Sequence, residues 1–165
     1  MSAPNLLPFS GDWETYVESV YQRYYADIIA QPPSIWGNAV KVRWNPVSKD
    51  KPFNFWHVIS EGEVEEDRTP DLTRCARIGW IAWVLSCCDQ NHECVRWYLS
   101  ERSTSRGRKV NLVLWAHEEN YVVIVEPRPG YALLVSAYPV IGRRTDKLQK
   151  EYDAFIAAPK PIPNW

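Results

Sequence analysis

Phe53-Asn54-Phe55-Trp56-His57-Val58-Ile59-Ser60-Glu61-Gly62, followed by Asp67-Arg68-Thr69-Pro70-Asp71-Leu72-Thr73-Arg74-Cys75-Ala76-Arg77-Ile78-Gly79-Trp80, is the part of the chain on which the fold assignment turns. Its aromatic and β-branched residues read as a strand over 53–59 that carries a single histidine to its end. Ser60 to Arg68 holds four Glu and one Asp against one Arg, too polar to pack, and reads as a surface loop. Thr69-Pro70 reads as a cap followed by proline at the first helical position, opening a helix that runs to about Ser86. On that helix Asp71, Arg74 and Arg77 form a charged ridge beside an apolar stripe of Leu72, Ile78, Ile81, Ala82 and Leu85.

Upstream, Ser10 reads as the cap of a first helix over about 11–30. Its apolar face is Trp13, Tyr16, Val17, Val20, Tyr21, Tyr24 and Ile28, at steps of three and four. Gln31-Pro32-Pro33 ends it, and Val40, Val42 and Trp44 alternate with Lys41 and Arg43 as in a half-buried strand. Downstream, four short β runs (Cys94–Leu99, Val110–Trp115, Tyr121–Val125, Tyr131–Ser136) are separated by hairpin-length connections, which predicts an antiparallel meander. Asp146 to Ile156 reads as a terminal helix and Pro159-Lys160-Pro161-Ile162-Pro163 as an exposed tail. The expectation is an α+β fold: an N-terminal helix and a central antiparallel β-sheet of about four to six strands, with helices packed on one face. No glycine-rich phosphate loop follows a strand.

A chain of 165 residues with 45% hydrophobic and 24% charged side chains can bury a core without staples, so residues 1–158 are expected to form one domain, with 159–165 a Pro-rich tail. The net charge of -1 gives no global reason to bind a polyanion, but 96–109 holds five basic residues against one acid, and a local patch is what holds a phosphate backbone. The same segment can be a solvated loop. There is no apolar run of membrane-spanning length and no secretory signal at the start, and Cys75, Cys87, Cys88 and Cys94 cluster too awkwardly for a disulfide framework; a reducing cytoplasm is expected.

His57 is suited to proton transfer, because imidazole titrates near neutrality without large perturbation; at a strand end it can equally be tied to backbone. Arg68, Arg74 and Arg77 offer planar forks that fit phosphate and stabilise charge building in a pentacovalent transition state, or they pair with Glu61, Glu63, Glu65, Glu66 or Asp71. In Ser136-Ala137-Tyr138, strand alternation puts both hydroxyls on one face, where they can donate to a phosphoryl oxygen or satisfy buried backbone. Cys87-Cys88-x3-His92-x-Cys94 is the zinc alternative, but its spacing is irregular for tetrahedral ligation. No Gly-x-Ser-x-Gly elbow supports a serine hydrolase.

Phe55-Trp56-His57, Asp67-Arg68-x-Pro70-Asp71-x-x-Arg74-x-x-Arg77-Ile78-x-Trp80 and Leu133-Leu134-Val135-Ser136-Ala137-Tyr138-Pro139 together resemble the phage- and toxin-associated branch of the barnase, EndoU, colicin and RelE-like (BECR) nuclease superfamily. The resemblance covers about 53–140, a nuclease-like core; the helix and strand of 1–45 lie outside it. It implies a toxin or phage-borne ribonuclease that needs no metal or other cofactor and cleaves RNA by attack of the ribose 2′-OH on the adjacent phosphate. On that reading His57 exchanges the proton, Arg74 and Arg77 hold the scissile phosphate, and Ser136 and Tyr138 orient the phosphate or a base. Arg68 and Asp71 stand beside the substrate, and Arg106, Arg108 and Lys109 of the basic segment contact it. The expected partners are RNA and an antitoxin or immunity protein, with no membrane. The competing class is a non-catalytic protein-binding module on a degenerate nuclease fold. The nuclease reading requires the imidazole, the guanidinium row and the hydroxyl pair to share one cleft.

Overall fold

In the computed structural model, which describes residues 1–165, the first helix, α1 (Trp13–Tyr24), is capped by Asp12, whose carboxylate accepts from the Thr15 amide at 3.0 Å. Asp12 thus takes the place expected of Ser10. Tyr16, Val17, Val20 and Tyr24 are buried, and a π-helical segment, Tyr25–Ala30, continues the chain and keeps Ile28 inside. After the prolines come β1 (Ser34–Ile35) and β2 (Asn38–Lys41). The second of these stops short of Trp44, which is 46% exposed.

The strand expected over 53–59 is a helix, α2 (Phe53–Val58). Asn54, Phe55, Val58 and Ile59 are buried, and this i, i+1, i+4, i+5 pattern is one helical face, whereas a strand would send Asn54 and Phe55 to opposite sides. A short apolar run fits either form by periodicity, and here a long-range polar chain decides. The buried Asn54 accepts from the Tyr24 hydroxyl at 2.8 Å and donates through Nδ2 to the Leu134 carbonyl at 3.0 Å.

The single helix expected from Thr69 to Ser86 is also broken up. Thr69–Pro70 is β4, paired antiparallel with β3 (Ser60–Glu61), and the acidic segment between them holds a 3₁₀ turn, Glu65–Asp67. Asp71 caps α3 (Leu72–Ala76) by accepting from the Thr73 amide at 3.0 Å. The helix lapses at 77–79 and resumes as α4 (Trp80–Asp89). Arg23 packs against Gly79, where an added Cβ would stand 2.8 Å from its guanidinium.

The meander forms as its alternation implied: β5 (Val95–Thr104), β6 (Gly107–Ala116), β7 (Tyr121–Arg128) and β8 (Tyr131–Pro139) pair antiparallel in succession. The sheet is nonetheless mixed, because β2 joins β8 in parallel, giving six strands in the order β1-β2-β8-β7-β6-β5. Helices also cover both faces and not one. The main core joins α1, α2 and α4 to Leu112, Leu114, Val123, Val125 and their neighbours. The alternate residues Tyr98, Val113, Trp115 and Val122 pack under Leu148 of the last helix, α5 (Arg144–Ala157). The tail is anchored, since the Trp165 indole donates to the carbonyls of Arg128 and Tyr131 at 3.1 and 3.0 Å.

One irregularity in β8 sets up the site. Val125 faces Leu134 and Ile124 faces Ser136, so Val135 is an extra residue, a β-bulge. Ala132 and Leu134 point into the main core before it and Ala137 after it, which reverses the parity and turns Ser136 and Tyr138 toward the α5 side. Strand β2 has ended by then, and Asn54 of α2 takes the Leu134 carbonyl that β2 leaves free. Asn54→Ala should cost about 3 kcal/mol, because it leaves a buried phenol and a buried carbonyl unpaired at roughly 1–3 kcal/mol each. Urea unfolding followed by tryptophan fluorescence measures this, and a loss below about 1 kcal/mol would show that neither group depends on the amide.

Candidate functional site

Beyond the end of β2, the outer edge of β8 is flanked by the β3–β4 ribbon and by α3, and α5 begins beside its far end. A 510 Å³ cleft opens there, lined by Arg68, Arg74, Arg102 and Arg144, by Glu61 and Glu63, and by Ser136 and Tyr138. Four guanidinium groups against two carboxylates leave it net cationic.

The arginines are held in different ways. Arg68 works largely on backbone: Nη1 donates to the Gly62 carbonyl at 2.8 Å, and Nη2 donates to the carbonyls of His57 (2.8 Å) and Ser60. This ties the acidic ribbon to the end of α2. Arg74 donates through Nη1 to the same Ser60 carbonyl at 2.7 Å, so two cations share one acceptor. Burial, and next the charge of Arg68, pull the Arg74 pKa below its ordinary value. Glu65 lies 3.9 Å from the Arg68 Nε and Asp71 3.6 Å from the Arg74 Nε, too far for hydrogen bonds, and both Nε groups are buried without a partner. Unpaired buried donors next to a like charge are costly, and an anion in the cleft relieves both costs.

Tyr138 supplies the floor. The Arg74 and Arg144 guanidinium carbons sit 5.5 and 5.2 Å from its ring centroid, within cation–π range. Burial raises its phenol pKa against the opposing pull of Arg144 and Arg74, so the hydroxyl stays protonated and able to donate at neutral pH. Ser136 lies two residues earlier on the same face, opposite Ile124 as Tyr138 is opposite Val122.

Of the residues singled out in the sequence, Arg68, Arg74, Ser136 and Tyr138 share this cleft. His57 does not line it. Its ring stacks on Phe53 with centroids 5.7 Å apart and its Nδ1 is 3.2 Å from Glu65, while only its carbonyl meets Arg68. Arg77 is also elsewhere: the lapse after α3 turns it onto the Trp80 ring, 5.1 Å from the centroid, with Nη1 donating to the Thr73 carbonyl. Asp71 serves as the α3 cap and the neighbour of Arg74. On the β5–β6 hairpin, Arg106 lies at the turn, Arg108 pairs with Glu101, and Lys109 is 4.0 Å from Glu126; none of the three lines the cleft. No group of His, Cys, Asp and Glu side chains is arranged to hold a metal ion.

No family model, curated protein or solved structure matches the chain. The site is therefore read from its own geometry.

That geometry adds four residues that sequence reading passed over. Arg102 was legible in principle, since it continues the Tyr98–Ser100 alternation on the face that Tyr98 buries. Glu61 and Glu63 were treated as ion-pair partners of the arginines, and Arg144 as part of a polar connection. No helix is long and apolar enough to cross a membrane.

The imidazole offers a test by pH. Burial and then the Arg68 charge depress the His57 pKa, outweighing the Glu65 carboxylate. Below about pH 6.5 the unfolded chain therefore takes up a proton here more readily than the native state, and stability falls as pH falls. His57→Asn should flatten this loss between about pH 7 and 5, read as urea midpoints against pH; parallel curves for the two proteins would show that the histidine is not what titrates.

Proposed function

We propose that the chain is a metal-independent ribonuclease whose scissile phosphate sits in the arginine cleft. The observation that carries this reading is the pair Arg68 and Arg74, crowded on one carbonyl with unpaired Nε groups, beside the Ser136 and Tyr138 hydroxyls. Such a site lacks only an anion with several acceptor oxygens, and guanidinium groups are suited to charge spread over a phosphoryl group.

Cleavage by 2′-OH attack forms the O2′–P bond and breaks the P–O5′ bond, so one proton must leave O2′ and one must reach O5′. Glu61, which lines the cleft and whose charge acts on Arg74, takes the first. Tyr138, kept protonated, supplies the second and regains it from solvent. Arg74 and Arg144 neutralise the pentacovalent charge, Ser136 orients a phosphoryl oxygen, and Arg68 holds the ribbon that carries Glu61. His57 becomes a supporting residue, paired with Glu65 behind Arg68. A cationic cleft of this kind also suits an acidic antitoxin or immunity protein as inhibitor, and the four free thiols fit a reducing cytoplasm.

A second reading, a non-catalytic module that binds anionic ligands, is favoured by the imidazole standing outside the cleft and by Arg68 being occupied with backbone carbonyls. Incubation of purified protein with labelled RNA in excess EDTA separates the two. Cleavage is expected, with 2′,3′-cyclic phosphate ends. Arg74→Ala and Glu61→Gln should each lose on the order of a hundredfold in turnover with melting temperature nearly unchanged, while His57→Asn keeps most of it. Intact RNA that remains bound would favour the module, and full activity in Arg74→Ala would remove the cleft from the reaction.

A further inference from the structure

The sheet surface on the α5 side extends past the cleft. Val113 and Trp115 of β6 lie under α5, so Asn111, two residues before Val113, faces the same way. Asn111 is paired with Ser100, two residues before Arg102 on β5, and on its other side the row Val113, Ile124, Ser136 runs across to β8. Asn111 therefore lies on the sheet between Arg102 and Ser136, which both line the cleft. Its Oδ1 is buried without a hydrogen-bond partner. Asparagine is a poor strand former, and an unpaired buried amide oxygen destabilises the fold, so nothing in the packing accounts for this residue at this place.

Two strand spacings and a two-residue step put Asn111 roughly 12 Å from Ser136, too far to touch the same phosphoryl group but within reach of a base next to it. Ile124, half-buried between them, offers an apolar floor for such a base. Unlike the arginines, which only donate, a carboxamide presents an acceptor beside a donor, the pattern that pairs with the edge of a single base, adenine above all. Specific reading of RNA relies on single-stranded bases splayed onto a protein surface in this manner.

We propose that Asn111 is a specificity-determining residue that hydrogen-bonds the edge of an adenine adjoining the phosphate in the cleft. This rests on the phosphate-site reading above. It gives the protein a preference among single-stranded RNAs that the arginines alone cannot supply.

The test uses single-stranded oligonucleotides with 2′-O-methyl riboses, which cannot undergo 2′-OH attack, identical except for one base, with affinity measured by fluorescence anisotropy. Wild type should bind the adenine oligonucleotide about tenfold more tightly than the others. Asn111→Ala should bring all four within about twofold of one another, whereas Arg74→Ala weakens all four alike and keeps their order. Asn111→Leu, of nearly the same shape, repeats the test should the alanine variant fold poorly. Equal binding of the four by wild type, or a preference that survives both Asn111 substitutions, overturns the proposal while leaving the cleft intact. Failure of wild type to bind any of them defeats the phosphate site itself, and the role of Asn111 with it.

Discussion

The bulge at Val135 is the constraint on which the arrangement of the site depends. Without the extra residue, Ser136 and Tyr138 would follow Ala132 and Leu134 into the apolar core, and two hydroxyls would be buried among aliphatic side chains. With it, both turn to the α5 side, and Ala137 takes the core position in their place. A bulge interrupts pairing and needs outside support. Here the support is Asn54, which occupies the edge of β8 where β2 has stopped and which is itself held by Tyr24 of α1. The N-terminal helix thus reaches the functional face through two hydrogen bonds and α2, without touching the cleft.

The crowding of the arginines has the same long-range origin. Arg74 comes from α3, Arg68 from the ribbon before it, Arg102 from the far edge of the sheet and Arg144 from the start of α5. None of these elements would gather cations by its own preference. They are brought together because the apolar faces behind them pack, and the electrostatic cost appears as a depressed Arg74 pKa and two unpaired Nε groups. A cost concentrated on one small volume, with hydroxyl donors aimed at it, is more economically explained by a ligand than by stability.

Helix α5 covers only part of its face of the sheet. Its cluster of Tyr98, Val113, Trp115, Val122, Val140 and Leu148 is small, and beyond it β5 and β6 run on as a hairpin that carries Arg102 and Asn111 out over uncovered sheet. A second, partial layer therefore does two things: it seals the aromatic residues of the central strands, and it leaves a polar strip continuous with the cleft.

Sequence alone determined the α+β class, the four-stranded meander and the two hydroxyls on one face of the last strand, because strand alternation is a local property carried by every residue of each run. It also determined Arg68, Arg74, Ser136 and Tyr138 as residues worth following. Whether 53–58 was helix or strand depended on Asn54 finding partners 30 residues before it and 80 after it, and no local pattern reports that. Where the second helix broke, and so where Arg77 pointed, depended on the chain packing around Gly79. The withdrawal of His57 from the cleft and the arrival of Arg102 and Arg144 were likewise decided only by tertiary structure, since periodicity says which face a side chain takes but not which distant face it will meet.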